Sequence, residues 1–481
     1  MSTAARPAAP GGGPPDDGPA GAARRPRPAR RAALVLATLL VLLALAAGWV
    51  AWRNVAGEPA VEPRGAAPPP PADAATVARG AYLARAGNCL GCHTRRGGAP
   101  GAGGRAVATP FGTVYSSNLT PDDETGLGRW SAPEFRRALQ HGRSRDGRLL
   151  TPAFPYPNFT RLTREDADAL YAWLMTRPAV REPNRPHELR FPYGTQAALA
   201  VWRALYFRAG PHEPDPARSA AWNRGSYLVN GPAHCFACHA ARNFLGAAAG
   251  AGETGGNVVS VQRWYAPSLT DPREAGVADW PAEDVVALLK TGTSPRGSAL
   301  GPMAEVVARG TQHLSLEDLH AMAEYLRSLS PTASDQGRAR GADAAAVAPA
   351  TDATAAGASE AGGSVAGMPG APGPADVAAR GARLYETHCA GCHGERGEGT
   401  PGIAPLAGNR AVRLADPRNV IQAIRHGGFL PTTAGNPRPF GMPPFGHVLG
   451  DDDIAAVATH VRQAWGNAAP AVSPLDVLRA R

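Results

Sequence analysis

The six cysteines of this chain all fall into three copies of one five-residue pattern, Cys-x-x-Cys-His. The copies are the first motif at residues 89–93, the second motif at residues 235–239 and the third motif at residues 389–393. The spacing is typical of covalent c-type haem attachment, because two thiols one helical turn apart reach the two vinyl groups of one porphyrin. The histidine that follows then lies under the iron as an axial ligand.

The motifs therefore predict three covalently bound haem c groups. The predicted attachment residues are Cys89, Cys92, Cys235, Cys238, Cys389 and Cys392, and the predicted axial imidazoles are His93, His239 and His393. Other cysteine chemistries fit less well. A structural zinc site needs two Cys-x-x-Cys pairs close together, whereas successive pairs here lie about a domain apart. A disulfide framework would not place a histidine after every second cysteine, and a redox dithiol does not account for three copies.

The N-terminus predicts a membrane segment. Residues 1–31 are rich in Pro, Gly, Ala and Arg, which is typical of a disordered tail. The apolar run at residues 32–53 follows, and about 20 apolar residues suffice to span a bilayer. Arginines before this run favour a cytoplasmic tail and a periplasmic remainder. The run is also compatible with a cleaved signal peptide, because ALAA at residues 44–47 resembles a small-residue cleavage site, although Trp49 and Trp52 are typical of a retained interfacial anchor. In both cases we expect a bacterial inner-membrane protein with periplasmic haem domains.

The formal net charge of +9 does not predict nucleic-acid binding. Much of the excess lies in the arginines of the tail, before the membrane segment, and the remainder is diluted over several hundred residues without an aromatic-basic stripe. A dinucleotide-binding, P-loop or flavin motif is also missing from the sequence. Any substrate-oxidising catalyst must therefore belong to another polypeptide.

Composition and internal repeats divide the chain further, and 481 residues suffice for about three domains of ~150 residues. The predicted order after the membrane segment is a Pro/Ala linker at 54–75, a first haem domain at 76–190, a second at 216–330, an Ala/Gly-rich linker at 331–375, a third haem domain at 376–468 and a C-terminal tail at 469–481. We call the three haem domains the first, second and third repeats. The expected fold is all-α, with the two terminal helices of each repeat packed together over a haem.

Each repeat begins with an Arg-Gly pair and a leucine, which we expect on the haem-facing side. These residues are Arg79, Gly80 and Leu83; Arg224, Gly225 and Leu228; and Arg380, Gly381 and Leu384. A capped helix with an apolar stripe closes each repeat, with Thr163 and Asp166 as a predicted cap in the first and Ser315 and Asp318 in the second. Tyr171 and Tyr325 in these helices are expected in the core.

Electron-transfer haems normally take a methionine thioether as the second axial ligand. The ligand methionine is expected in the loop between the motif and the last helix of a repeat. Met303 in the second repeat and Met442 in the third fit this position. Met322, inside a terminal helix, and Met368, in the linker, are expected to be structural or incidental.

Several stretches resemble the cytochrome c subunit of membrane-bound bacterial alcohol, gluconate, sorbitol and aldehyde dehydrogenases. The resemblance is carried by residues 109–139 (TPFGTVYSSNLTPDDETGLGRWSAPEFRRAL), 152–174, 264–270 and 301–326, and it covers most of the chain from residue 76 apart from the linker. It implies tandem class I cytochrome c-like domains and the haem residues given above, including both methionines. It further implies electron transfer from a partner dehydrogenase catalytic subunit of flavin, quinoprotein or molybdenum type, in some complexes with a small subunit, to ubiquinone or onward to an oxidase.

The chain departs from this family in the first repeat. Where the family usually reads Pro-Ala-Met-Pro-Tyr, this sequence has Phe154 in place of the methionine. Three outcomes stay open: an iron without a sixth protein ligand, shielded by Phe154; ligation by His141; or ligation by Met175. An open first haem would also permit a different function, that of a haem enzyme or a small-ligand-binding protein.

Overall fold

The computed structural model of the chain describes residues 28–58, 61, 72–248, 255–259, 263–331 and 373–481. Most of the predicted tail and of both predicted linkers, together with Met368, lies outside the described residues. The predictions made for those segments therefore stay predictions.

The apolar run near the N-terminus forms one helix, α1 (Pro28–Val55), of 28 residues. At 1.5 Å per residue such a helix extends about 42 Å, more than the ~30 Å of a hydrocarbon core. Its segment Arg30–Val55 is the one candidate membrane span among the residues that the structure describes. The prediction of an apolar N-terminal helix is confirmed, and a signal sequence would satisfy the same test.

The rest of the described chain is mainly helical. The first repeat contains α2 (Ala74–Ala86), α3 (Cys89–Cys92), α4 (Ala132–His141), α5 (Tyr156–Phe159) and α6 (Arg164–Met175). The second contains α8 (Ala220–Asn230), α9 (Phe236–His239), α10 (Ala282–Thr291), α11 (Pro302–Arg309), a 3-10 turn (Thr311–His313) and α12 (Leu316–Arg327). The third contains α13 (Pro374–His388), α14 (Ala390–His393), α15 (Arg410–Arg413), α16 (Arg418–His426), α17 (Asp451–Gln463) and a 3-10 turn (Ala464–Gly466). Helix α18 (Pro474–Arg479) lies in the predicted C-terminal tail, whose Val472 and Val477 belong to the core of the third repeat. Helix α7 (Gln196–Tyr206), between the first two repeats, was not predicted from the sequence.

Short antiparallel strands accompany the helices, so the expectation of an all-α chain was too narrow. One sheet has the order β1 (Ala106–Thr109), β2 (Gly112–Tyr115) and β3 (Glu188–Leu189). The two-stranded pairs are β4 (Asn257–Val259) with β5 (Trp264–Ala266), β6 (Thr293–Ser294) with β7 (Gly297–Ser298), and β8 (Gly428–Phe429) with β9 (Gly441–Met442). They lie in the connections between helices, where backbone groups need partners that helices do not supply.

The terminal helices of each repeat cross closely, α2 on α6, α8 on α12 and α13 on α17. The glycine of each Arg-Gly pair permits this crossing. A Cβ atom would lie 1.9 Å from the Ala169 carbonyl oxygen at Gly80, 2.0 Å from that of Ala321 at Gly225, and 2.3 Å from that of Ala456 at Gly381. No side chain fits into so small a space.

The arginine of each pair forms an ion pair with the third residue of the closing helix. Arg79 pairs with Asp166, Arg224 with Asp318 at 2.7 Å, and Arg380 with Asp453 at 2.7 Å. The predicted helix caps are confirmed, since Thr163 accepts from the Asp166 amide at 3.2 Å and Ser315 from the Asp318 amide at 3.1 Å.

The apolar cores of the first and second repeats merge into one cluster, which we call the shared core. It contains Leu83 and Leu228, together with Tyr171, Tyr325 and the fully buried Met322. The expectation that these tyrosines and Met322 are core residues is confirmed. The third repeat has a separate core, against which Leu384 packs.

Candidate functional site

Each Cys-x-x-Cys-His motif forms one hydrogen-bonded helical turn. The amide of His93 donates to the Cys89 carbonyl at 2.9 Å, and the corresponding bonds in the second and third motifs measure 3.0 and 2.9 Å. In the first two motifs a residue with positive φ comes directly before the first cysteine, Asn88 at 46° and His234 at 39°. This residue lies between the end of the preceding helix and the motif and starts the motif in a new direction. The spacing of three residues along a helical turn places the two cysteines of a motif on one side.

The two cysteines of each motif lie in different surroundings. The first cysteine of each pair is half-buried and the second is exposed. Burial raises the pKa of Cys89 to about 12 and that of Cys389 to about 11. Burial also raises the pKa of Cys92 and Cys238, although the side chains of these two cysteines are exposed. One half-buried and one exposed thiol on a single turn fit attachment at the edge of a porphyrin.

The three motif histidines suit iron ligation through Nε2. The Nδ1 atom of His93 lies 2.7 Å from the Ser117 carbonyl oxygen, and that of His239 lies 2.6 Å from the Pro267 carbonyl oxygen. A carbonyl acceptor fixes the proton on Nδ1 and orients the ring, which leaves the Nε2 lone pair for a metal. Burial lowers the pKa of both imidazoles and keeps them neutral, as ligation requires. The sequence analysis did not assign a role to Ser117 or Pro267.

The third motif differs in this detail. Among the described residues, the buried Nδ1 of His393 has no hydrogen-bond partner of normal geometry. Burial lowers the pKa of His393, and the nearby Ala404 carbonyl acts in the opposite direction. The ring is therefore neutral, as in the other motifs, but less firmly oriented.

Met303, Met442 and Phe154 occupy comparable places in their repeats. Each follows a helix whose C-cap is a glycine of positive φ; the glycines are Gly142, Gly292 and Gly427. Met303 lies in the first turn of α11 and packs against the shared core, as does Phe154, while Met442 lies in β9 against the core of the third repeat. This correspondence agrees with the prediction that Phe154 stands where the other repeats have a methionine.

The two alternative ligands of the first repeat lie in contrasting environments. His141 ends α4 among charged groups: burial lowers its pKa, Glu58 raises it, and the nearby Arg203 and Arg143 lower it. The Arg203 guanidinium also donates to the backbone carbonyl of His141. Met175 instead packs against the shared core, together with Cys89 and Phe154.

A buried histidine that the sequence analysis missed lies between the first two motifs. The Nε2 atom of His234 is 3.2 Å from the Gly87 carbonyl oxygen, two residues before Cys89. Its ring meets that of Phe159 edge-on at 5.3 Å, and Phe159 in turn packs 5.5 Å from Phe154. The sequence did not predict this position of His234, because the residue lies between two helices with a positive φ and belongs to no periodic pattern.

Comparison with known proteins shows that the chain is similar to cytochromes c. The cytochrome c family model matches residues 77–178 and 378–465. The chain is 38% identical over 427 residues to the alcohol dehydrogenase (quinone) cytochrome c subunit of Gluconacetobacter polyoxogenes, covering 86% of this chain and 85% of that relative. It is 34% identical over 419 residues to the gluconate 2-dehydrogenase cytochrome c subunit of Pantoea cypripedii, covering 85% and 90%.

A third relative matches only in part. A nicotinate dehydrogenase subunit of Pseudomonas putida is 46% identical over 259 residues, which cover 53% of this chain and 21% of that protein. The relatives are thus named as subunits of an alcohol dehydrogenase (quinone), a gluconate 2-dehydrogenase and a nicotinate dehydrogenase.

Proposed function

Because the chain belongs to the family of cytochrome c subunits of dehydrogenases, we propose that it passes electrons through three covalently bound haem c groups to ubiquinone or the respiratory chain. Electron transfer on behalf of a dehydrogenase catalytic partner follows from the family itself. The number of haems and the acceptor are our proposal. We also propose that residues 76–190, 216–330 and 376–468 form three tandem class I cytochrome c-like domains.

The observation that carries the proposal is the repetition of one arrangement at all three motifs. Each has a hydrogen-bonded turn, one half-buried and one exposed thiol, and a half-buried imidazole whose pKa is lowered by burial. The proposed attachment residues are Cys89, Cys92, Cys235, Cys238, Cys389 and Cys392, with His93, His239 and His393 as axial ligands. The haem, when bound, supplies reversible one-electron chemistry; the chain holds it covalently, orients the imidazoles and limits access of water.

Met303 and Met442 are the proposed second axial ligands of the second and third haems. Both are half-buried and lie in the connection that follows a glycine-capped helix. A thioether ligand favours the reduced iron and closes the sixth position, which suits an electron carrier. For the first haem, Phe154 supplies no ligand, and we propose a sixth position without a protein ligand.

The proposed location is the bacterial inner membrane, with α1 as anchor and the haem domains in the periplasm. Length and composition of α1 support this placement. The partner is proposed to be a flavin, quinoprotein or molybdenum dehydrogenase, in some cases with a small subunit. Electrons would leave through ubiquinone or a terminal oxidase.

Haem content tests the proposal directly, because the family model matches only the first and third repeats. We expect the purified protein to contain three haem c groups per chain by pyridine haemochrome assay and intact mass. The variant Cys235→Ser/Cys238→Ser should contain two. A wild-type content of two, unchanged in this variant, would refute the proposal for the second repeat.

The acceptor requires a separate experiment. The full-length protein would be reduced with a stoichiometric chemical reductant in vesicles with or without ubiquinone, and the loss of the reduced α band followed by stopped flow. Fast reoxidation only in vesicles with ubiquinone is the expected result. Equal rates in both vesicles would exclude ubiquinone as the direct acceptor.

A further inference from the structure

Arg105 and Glu305 form a two-pronged ion pair between the first and second repeats. The Arg105 Nη1 atom lies 2.7 Å from Oε1 of Glu305, and Nη2 lies 3.0 Å from Oε2. The side chains are 32% and 29% exposed, so water screens their charges only in part. A fork-to-fork arrangement of guanidinium and carboxylate is more directional than an ordinary surface ion pair.

Both partners are also tied to proposed haem-binding segments. Arg105 donates a further hydrogen bond to the carbonyl of Gly91, which lies between Cys89 and Cys92 in the first motif. Glu305 lies in the first turns of α11, two residues after Met303. The pair thus connects the turn that would hold the first haem with the helix that would supply the distal ligand of the second.

A third charged side chain joins this pair beside the first motif. The Arg309 Nε atom lies 3.5 Å from Oε1 of Glu305. Because Arg105 also binds the Gly91 carbonyl, the charges of this cluster lie next to the first attachment site.

We propose that Arg105 and Glu305 are matched positioning residues that set the reduction potential of the haem bound by Cys89 and Cys92. This inference rests on the proposed haem attachment. A positive charge near the iron favours the reduced state, which carries one positive charge fewer, and therefore raises the potential; a negative charge lowers it. In the intact pair the two effects oppose each other, so the potential of the first haem depends on both charges.

The test is a spectroelectrochemical titration of the full chain and of Arg105→Gln, Glu305→Gln and the double variant. Arg105→Gln should lower the midpoint potential of one haem, Glu305→Gln should raise that of the same haem, and the double variant should return close to wild type. Arg181→Gln, which breaks the 2.5 Å surface pair with Glu124, is the matched control and should leave all midpoints unchanged.

Opposite shifts separate an electrostatic role from a merely structural one, since loosening the interface would shift both single variants in the same direction. Shifts of equal sign, or no shift with three haems bound, would overturn the inference and leave the proposed function intact. A wild-type protein without haem at the first motif would refute both. If Arg105→Gln does not mature, Arg105→Lys, which keeps the charge, should retain the wild-type midpoint, and a lowered midpoint there would also overturn the inference.

Discussion

The phenol of Tyr82 in the first repeat donates a 2.5 Å hydrogen bond to the carboxylate of Asp318 in the second. The reciprocal bond runs from Tyr227 in the second repeat to Asp166 in the first. Asp166 and Asp318 each form an ion pair with an arginine of their own repeat. Each also accepts a hydrogen bond from a tyrosine of the other repeat. The third repeat has Arg383 at the corresponding position, two residues after its glycine, and it keeps a core of its own. The two reciprocal tyrosine–aspartate hydrogen bonds connect the first two repeats, which share a core.

Removal of the exchanged phenols should destabilise the pair of repeats. Tyr227→Phe takes a donor away from Asp166, whose side chain is fully buried, and Tyr82→Phe takes one from Asp318, which is 7% exposed. Loss of a hydrogen bond to a buried carboxylate costs about 1–3 kcal/mol. We expect each variant to lower the urea midpoint monitored by far-UV circular dichroism. Tyr193→Phe, at a 38% exposed position, is the control, and an equal loss there would contradict the assignment.

Asp318 should make the free energy of unfolding depend on pH in the acid range. Burial alone would raise the pKa of Asp318, but the hydrogen bonds from Arg224 and Tyr82 and the Arg224 charge outweigh it, and the pKa is lowered from 3.8. Between the folded pKa and 3.8 the unfolded chain binds more protons, so this contribution is present above that range and is lost as the pH falls through it. In a plot of the urea unfolding midpoint against pH, the Asp318→Asn variant should lose less stability than wild type as the pH falls. Parallel curves for this variant and wild type would refute the prediction, and Asp452→Asn, at an exposed position, should not change the slope.

Alanine should not be tolerated at the crossing glycines. In Gly80→Ala the new methyl group would lie 1.9 Å from the Ala169 carbonyl oxygen, so α2 and α6 must separate. Overpacking of this kind costs about 1–3 kcal/mol or more. We expect a lowered thermal midpoint and reduced haem incorporation. Gly391→Ala is the matched control, because no described heavy atom lies within 4 Å of its Cβ and the second motif already has Ala237 at that position. An equal effect of both substitutions would contradict the steric explanation.

Arg410 should hold the third repeat on the second. Its Nη1 atom lies 2.6, 2.9 and 3.1 Å from the carbonyl oxygens of Pro272, Glu274 and Gly276, and its guanidinium lies 5.7 Å from the ring of Trp280. A protease site inserted between residues 332 and 372 would cut the covalent connection. The nicked wild-type fragments should co-elute in size exclusion, whereas the nicked Arg410→Ala fragments should separate, because the carbonyls lose about 1–3 kcal/mol of hydrogen bonding. Co-elution of the variant would show that other contacts suffice.

The sequence predicted the motifs, the caps, the core tyrosines and the candidate methionines, because each depends on local spacing. The Arg-Gly pairs were recognised as a repeat, but their purpose follows only from distances between helices far apart in sequence. The cap formed by Thr163 and Asp166 was predicted, whereas the contacts of the Asp166 side chain with Arg79 and Tyr227 were not. The carbonyl groups that orient His93 and His239 belong to the backbone, which leaves no mark on residue type.

The first haem should bind carbon monoxide in the wild-type protein and lose this ability in Phe154→Met. Phe154 follows the glycine-capped α4 as Met303 follows α10, so a thioether introduced there should reach the same iron face. We expect about one third of the ferric haem to give a high-spin electron paramagnetic resonance signal and the dithionite-reduced protein to shift its Soret band with carbon monoxide. Both signals should disappear in Phe154→Met.

Met303→Phe is the converse control. It removes the proposed thioether from the second haem and should add a second carbon monoxide-binding haem without changing the haem content. Three low-spin haems without a carbon monoxide response in the wild type would contradict the open first haem and point to His141 or Met175. His141→Ala and Met175→Leu would then separate these ligands, because only loss of the true ligand creates a high-spin signal. The packing of Met175 against the same apolar cluster as Cys89 and Phe154, while His141 lies among charged groups, favours Met175 in that case.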